Sequence, residues 1–185
     1  MNISISTWQF LASEAGATLL SEDWSGDSLA VVSRLRKRCT PEQAAAVYSL
    51  WQARRKAAGK FPDSFAAAAL MTDLMLQQAS SWRLASWLGA KLAAGGCAAV
   101  WDLCSAMGID SFGLARAGLP VVGVDCDEAA MVCATHNAAL LGATACEFRT
   151  ARVEDVLGEI PPDAWVHIDP DRRASGKRSA ALADC

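Results

Sequence analysis

A chain of 185 residues and 19.5 kDa has room for one sizeable domain or two small ones, and its formal charge of −3 excludes nucleic-acid binding by bulk charge alone. The composition, 52% hydrophobic and 20% charged, excludes wholesale disorder, although 37 alanines swell the hydrophobic count while burying little area each. No run approaches the about 18 apolar residues of a membrane span, and the N-terminus lacks the basic flank and apolar stretch of a signal peptide, so a cytoplasmic protein with no membrane partner is expected.

Charge is unevenly distributed. Residues 1–93 carry 10 Lys and Arg against 7 Asp and Glu, whereas residues 94–185 carry 7 against 13, which suggests two units with different tasks. The first unit, residues 1–93, reads as all-helical. Thr40-Pro41-Glu42-Gln43 is a helix start: a capping threonine, a proline at the first helical position and a glutamine three residues after the cap. The helix then runs without a breaker to Ala58 and ends at Gly59. A second helix is expected over Ser64 to Gln78, and a third from Ser80 or Ser81 to Gly95-Gly96. Five of the seven tryptophans lie in this half, where large buried rings would compensate for the alanines. Arg34, Arg36, Lys37 and Arg38 form its densest basic cluster, with Arg54, Arg55, Lys56 and Lys60 the next.

The period changes after Gly96. Short apolar runs at Ala98–Trp101, Pro120–Val124 and Ala164–Ile168, with a weaker one at Cys146–Arg149, alternate with helical stretches and indicate parallel strands buried on both faces. The expected fold class is therefore α/β: an N-terminal all-helical domain, an incomplete Rossmann-like sheet over residues 94–173, and a polar tail over 174–185. Each strong run ends in an aspartate, Asp102, Asp125 or Asp169, and ligands of open α/β sheets bind beyond the carboxyl ends of the strands.

The segment Asp102-Leu-Cys-Ser-Ala-Met-Gly108 leads from a strand into a helix starting near Asp110 or Ser111. Its small residues let backbone approach a ligand, and the helix start offers free N–H donors. A dinucleotide fingerprint would need G-x-G-x-x-G, which is absent, so a nicotinamide oxidoreductase is disfavoured. An acid opening the loop suits a cationic amino group. Asp125, at the end of the next strand, suits two ribose hydroxyls. An amino group, a ribose and no phosphate cradle together describe S-adenosyl-L-methionine.

On these residues the chain resembles the class I, Rossmann-like S-adenosylmethionine-dependent methyltransferases over residues 98–173. Ala58-Gly59-Lys60-Phe61, the Gln77-Gln78-Ala79 region and Asp169-Pro170-Asp171-Arg172-Arg173 extend the likeness to bacterial methyltransferases with a THUMP-like domain and, more distantly, to the trimethylguanosine synthase group. The resemblance implies that Asp102, Cys104, Ala106 and Gly108 hold the methionine end of the cofactor, Asp125 the ribose, and Cys126, Glu154 and Asp155 the adenine. It departs from the family where Cys104 and Ala106 replace glycines and where Arg152 stands in place of an acid.

The resemblance also makes Asp169 and Pro170 the catalytic pair that orients a target amino group, in a motif where Asp171 and Arg172 replace a proline and an aromatic ring. Arg172 and Arg173 would then contact phosphate or a base of the substrate. RNA is the partner this implies, with direct transfer to nitrogen or oxygen, because only Cys185 follows the motif as a nucleophile for carbon chemistry. The family's complete sheet has more strands than the four found before Arg173. A fragment or truncated form is expected, inactive by itself, and a non-catalytic interaction module is the alternative. Seven cysteines without a C-x-x-C pair point to a reducing compartment, and Cys133 with His136 makes only half of a zinc site, so no metal is expected.

Overall fold

The structure, a computed structural model, describes residues 3–169. Seven helices come first: α1 (Ile5–Ala12), α2 (Glu14–Leu20), α3 (Ser28–Leu35), α4 (Pro41–Ala57), α5 (Asp63–Ala68), α6 (Asp73–Gln78) and α7 (Trp82–Ala94). Polar caps start most of them. The side chains of Ser4, Ser13, Asp27, Thr72 and Ser81 accept from backbone N–H groups in the first turns of α1, α2, α3, α6 and α7. On α4 the reciprocal box between Thr40 and Gln43 is present, as the spacing predicts.

The single helix expected over Ser64–Gln78 is two. Ala69 is extended, and Ala69, Leu70 and Met71 are fully buried between the pieces. Arg54 donates to the carbonyls of Ala68 at 2.6 Å and Ala69 at 3.0 Å, while Asn137 holds both backbone groups of Leu70. Tertiary hydrogen bonds and the Thr72 cap outweigh the helix preference of this alanine-rich stretch.

A four-stranded parallel sheet follows, built from β1 (Val100–Leu103), β2 (Val121–Asp125), β3 (Cys146–Thr150) and β4 (Trp165–Ile168) in the order β3-β2-β1-β4. Between the strands lie α8 (Ile109–Arg116), α9 (Glu128–Leu141) and the single turn α10 (Val153–Val156). The connections to β2 and β3 step outward in one direction, whereas the connection to β4 returns past β1. The β1–β4 boundary is thus the topological switch point of the sheet.

Two strand expectations change. Asp102 is the third residue of β1 rather than the residue that follows it, because pairing starts at Val100 and continues through Leu103. Strand β4 is not buried on both faces: Trp165, Val166 and Ile168 are about half exposed, and among the described residues β4 has β1 as its single neighbour.

One buried cluster spans both regions, from Trp8, Leu11 and Leu35 through Phe61 and Phe65 to Phe112 and Cys133. A chain of ring contacts, Phe61–Phe65, Phe65–Phe112 and Phe112–Phe148, crosses it with centroids 5.6–6.1 Å apart. Helices α7 and α8 meet backbone to backbone: a Cβ on Gly113 would lie 2.3 Å from the Ala85 carbonyl. Trp8 and Trp24 are buried as expected, but Trp87 is 57% exposed on α7.

Candidate cofactor site at the strand ends

The loop from β1 to α8 has an unusual backbone. Cys104, Ala106 and Gly108 all have positive φ, at 65°, 46° and 88°. Left-handed geometry costs a residue with a Cβ about 1–2 kcal/mol. The loop therefore follows a backbone path that glycine adopts most easily, although two of the three residues carry side chains. Gly108 has no such latitude, since a Cβ there would lie 2.7 Å from Phe112 Cζ.

Hydrogen bonds hold this path. Ser105 N–H donates to Val124 O at 3.0 Å and Gly108 N–H to Ser105 O at 2.9 Å. Ala106 N–H donates to Asp125 Oδ2, and Asp127 N–H to Asp125 Oδ1, each at 2.9 Å. Asp125 thus joins the two loops at the ends of β1 and β2. Each of its oxygens still has a lone pair for a further donor. Ser105 Oγ is buried and without a hydrogen-bond partner among the described residues.

Asp102 differs from its expected setting. Its carboxyl group is 2% exposed and lies under α8, where Ser111 Oγ donates to it at 2.5 Å. Burial pushes its pKa up to about 6, against the opposing pull of the Ser111 hydrogen bond and His167. Asp102 is therefore not open to an incoming amino group. Its register partner on β4 is His167, whose Nε2 lies 4.0 Å from Asp110 Oδ2. Asp110 also accepts from Ser80 Oγ at 2.9 Å, and burial raises its pKa as well. The Cys104 thiol is pushed up to about 11, chiefly by burial and then by Asp125, and so stays neutral.

Of the residues singled out from sequence, Asp102, Cys104, Ala106, Gly108 and Asp125 come together, and Cys126 follows in the same loop with its side chain exposed. Glu154 and Asp155 lie apart on α10; Glu154 faces Arg152 at 3.5 Å, and no hydrogen bond among the described residues ties either to the loop. Asp169 follows β4 directly and is exposed, whereas Pro170, Arg172 and Arg173 lie outside the described residues. In the sequence Ser80, Asp110 and Ser111 stand out only as helix starts, and His167 only as a residue of an apolar run. For His167 a signal existed, because it precedes Asp169 by two residues in a strand and so shares its face.

Residues 4–57 match a family described as a domain of unknown function (DUF8688). Two curated relatives, from two strains of Mycobacterium tuberculosis, are each named uncharacterized S-adenosylmethionine-dependent methyltransferase. Each is 36% identical over 135 residues, covering 71% of this chain and 36% of the relative. The chain thus spans about a third of the length of the curated relatives it matches. A solved structure of the bifunctional kinase-methyltransferase WbdD matches 43% of this chain and 18% of its own at 28% identity, with a TM-score of 0.36. The mixed α/β architecture, a helical region followed by a four-stranded parallel sheet, is consistent with a Rossmann-like methyltransferase fold.

Proposed function

We propose that this chain carries the S-adenosylmethionine site of a methyltransferase. The observation that carries the reading is the glycine-like path of residues 104–108, held to Asp125 beside the switch point of a parallel sheet. The names of the curated relatives support it. When bound, the cofactor supplies a sulfonium methyl group; the S–CH₃ bond breaks as a bond to the acceptor forms, and the acceptor gives up a proton.

The chain's own residues fit such a ligand. The free lone pairs of Asp125 accept from vicinal hydroxyls, the loop backbone brings N–H groups within reach, and Ser105 Oγ supplies an uncommitted donor and acceptor. Asp102 supports the site from beneath by bonding Ser111 on α8. Asp110 and Asp169 bring negative charge to the side where a cationic amino group would sit, and Cys126 follows Asp125 on the adenine side; a contact of Glu154 or Asp155, on α10, with adenine rests on the family resemblance alone. Asp169 with Pro170 orients the target amine, and Arg172 and Arg173 bind phosphate. The acceptor is a nitrogen or oxygen of RNA in the cytoplasm, a reading supported by the resemblance to the THUMP-like group and by the basic stretch of the helical region.

Calorimetry with S-adenosylmethionine tests the cofactor site. Saturable binding near the micromolar range, about −8 kcal/mol, is expected. Absence of heat at millimolar cofactor overturns the reading.

A further inference from the structure

Asp125 and the loop it holds account for one part of the proposed ligand. With the ribose on Asp125 and adenine on the Cys126 side, the amino-acid end runs the other way, across β1 toward β4. That end is a zwitterion, with an ammonium and a carboxylate group on one carbon. It calls for a site that offers both signs of charge within a short distance.

His167 and Asp110 meet that description. His167 stands on β4 in register with Asp102, so its side chain leaves the sheet on the face that α8 covers. Its Nε2 lies 4.0 Å from Asp110 Oδ2 in the first turn of α8, longer than a hydrogen bond of about 3 Å. The two groups therefore face each other without closing on each other. Ser80 Oγ donates to the same Asp110 oxygen at 2.9 Å and fixes the carboxylate. The side chains of His167 and Asp110 are 25% and 19% exposed, so a ligand can reach both, whereas Asp102 at 2% is sealed. Burial raises the Asp110 pKa most and Asp169 raises it further, while Ser80 and His167 pull it down. An arriving ammonium group would add to that downward pull. Among the described residues no Lys or Arg pairs with Asp102, Asp110 or Asp169, which leaves His167 as the partner of positive charge beside them.

We propose that His167 and Asp110 form the subsite for the amino-acid end of the cofactor, His167 donating to its carboxylate and Asp110 accepting from its ammonium group. This assignment rests on the S-adenosylmethionine reading above and deepens it by naming the residues that select a zwitterion. Asp102, the acid that the sequence offers for the ammonium group, instead anchors α8 through Ser111. Ser80, just before α7, is a positioning residue: its hydroxyl lets the helical region hold the Asp110 carboxylate in place. A mixed pair of this kind answers a zwitterion, and it gives nothing to a nucleoside that lacks the amino-acid end.

Calorimetry with a short ligand series tests the proposal. The probes are S-adenosylmethionine, its decarboxylated form, which keeps the ammonium group, and methylthioadenosine, which lacks the amino-acid end. The unaltered chain should bind S-adenosylmethionine about tenfold or more tightly than the decarboxylated form. His167→Ala should remove that preference, weakening S-adenosylmethionine about tenfold while leaving the decarboxylated form unchanged. His167→Gln, which keeps one donor, should recover part of the loss. Asp110→Asn, which keeps an acceptor for Ser80, should weaken both ammonium-bearing ligands by about tenfold or more. Methylthioadenosine should bind all the proteins alike, which also reports an intact pocket in each variant. Equal affinity of the unaltered chain for the two forms overturns the subsite, and that comparison needs no variant to fold. Equal weakening of every ligand in either variant marks a structural role and overturns it as well. No binding of any probe to the unaltered chain removes the methyltransferase reading and the subsite together. Tight S-adenosylmethionine binding that is indifferent to His167 and Asp110 removes the subsite alone.

Discussion

The side chain of Asn137 pairs with both backbone groups of Leu70, 67 residues earlier. Leu70 N–H donates to Asn137 Oδ1 at 2.8 Å, and Asn137 Nδ2 donates to Leu70 O at 3.0 Å, with both residues fully buried. Helix α9 of the sheet region thereby supplies the partner that the interrupted helix between α5 and α6 lacks. Each buried group left without its partner costs about 1–3 kcal/mol. Asn137→Ala strands one donor and one acceptor, so an unfolding free energy lower by about 2–5 kcal/mol in urea titration is expected. A loss under about 1 kcal/mol would show that water replaces the amide.

The loop at the strand ends tests a competition between two glycine effects. Restoring glycine at Cys104 or Ala106 removes about 1–2 kcal/mol of left-handed strain. The more flexible unfolded chain takes back about 0.5–1 kcal/mol. Cys104→Gly and Ala106→Gly should each raise stability by roughly 0.5–1 kcal/mol in thermal or urea unfolding, and should also tighten S-adenosylmethionine binding by opening the loop. Gly108→Ala should do the opposite, since its Cβ meets the Phe112 ring. A destabilising Ala106→Gly would mean that the positive φ at Ala106 is not strained.

The buried carboxyl of Asp102 predicts a pH dependence with a definite sign. Burial raises its folded-state pKa to about 6 from 3.8, so between those values the folded chain holds the proton more tightly than the unfolded one. This group's contribution to stability is full below pH 4 and is lost as pH rises through about 6, a fall of up to about 3 kcal/mol. Asp102→Asn keeps an acceptor for Ser111 without the charge. The difference in unfolding free energy, variant minus unaltered chain, should grow from pH 4 to pH 7 and then level off. A flat difference would place the titration elsewhere.

Asp125 offers a narrower test of the ligand. Asp125→Asn removes the charge and turns one of the two acceptor oxygens into an NH₂ group, so only one of the loop N–H groups of Ala106 and Asp127 keeps its partner. Loss of one charge-assisted bond to a ribose hydroxyl should weaken S-adenosylmethionine binding by about 1.5–3 kcal/mol in calorimetry, with a somewhat lower melting temperature of the free protein because one loop N–H loses its acceptor. Unchanged affinity would move the ribose away from β2.

Local chemistry is what the amino-acid sequence determined. The Thr40-Pro41-Glu42-Gln43 cap, the start of α7 at Ser81, the four apolar runs and the small-residue loop 102–108 each depend on neighbours a few residues apart, and each is found at or close to its expected place. Contacts between distant residues were decided only by the tertiary structure. Alanine-rich residues 64–78 carry no local breaker, so the interruption at Ala69–Thr72 required Arg54 and Asn137 to take up the freed backbone groups. Asp102 looked like a strand-end acid facing a ligand; the register with Gly123 and His167 and the placement of Ser111 on α8 turned it inward. The positive φ values of Cys104 and Ala106 were likewise invisible, because neither side chain favours that region and only hydrogen bonds to Val124 and Asp125 hold the loop there. In each case a partner far away in sequence contributed a free energy comparable to or larger than the local preference, and sequence spacing carries no record of such a partner.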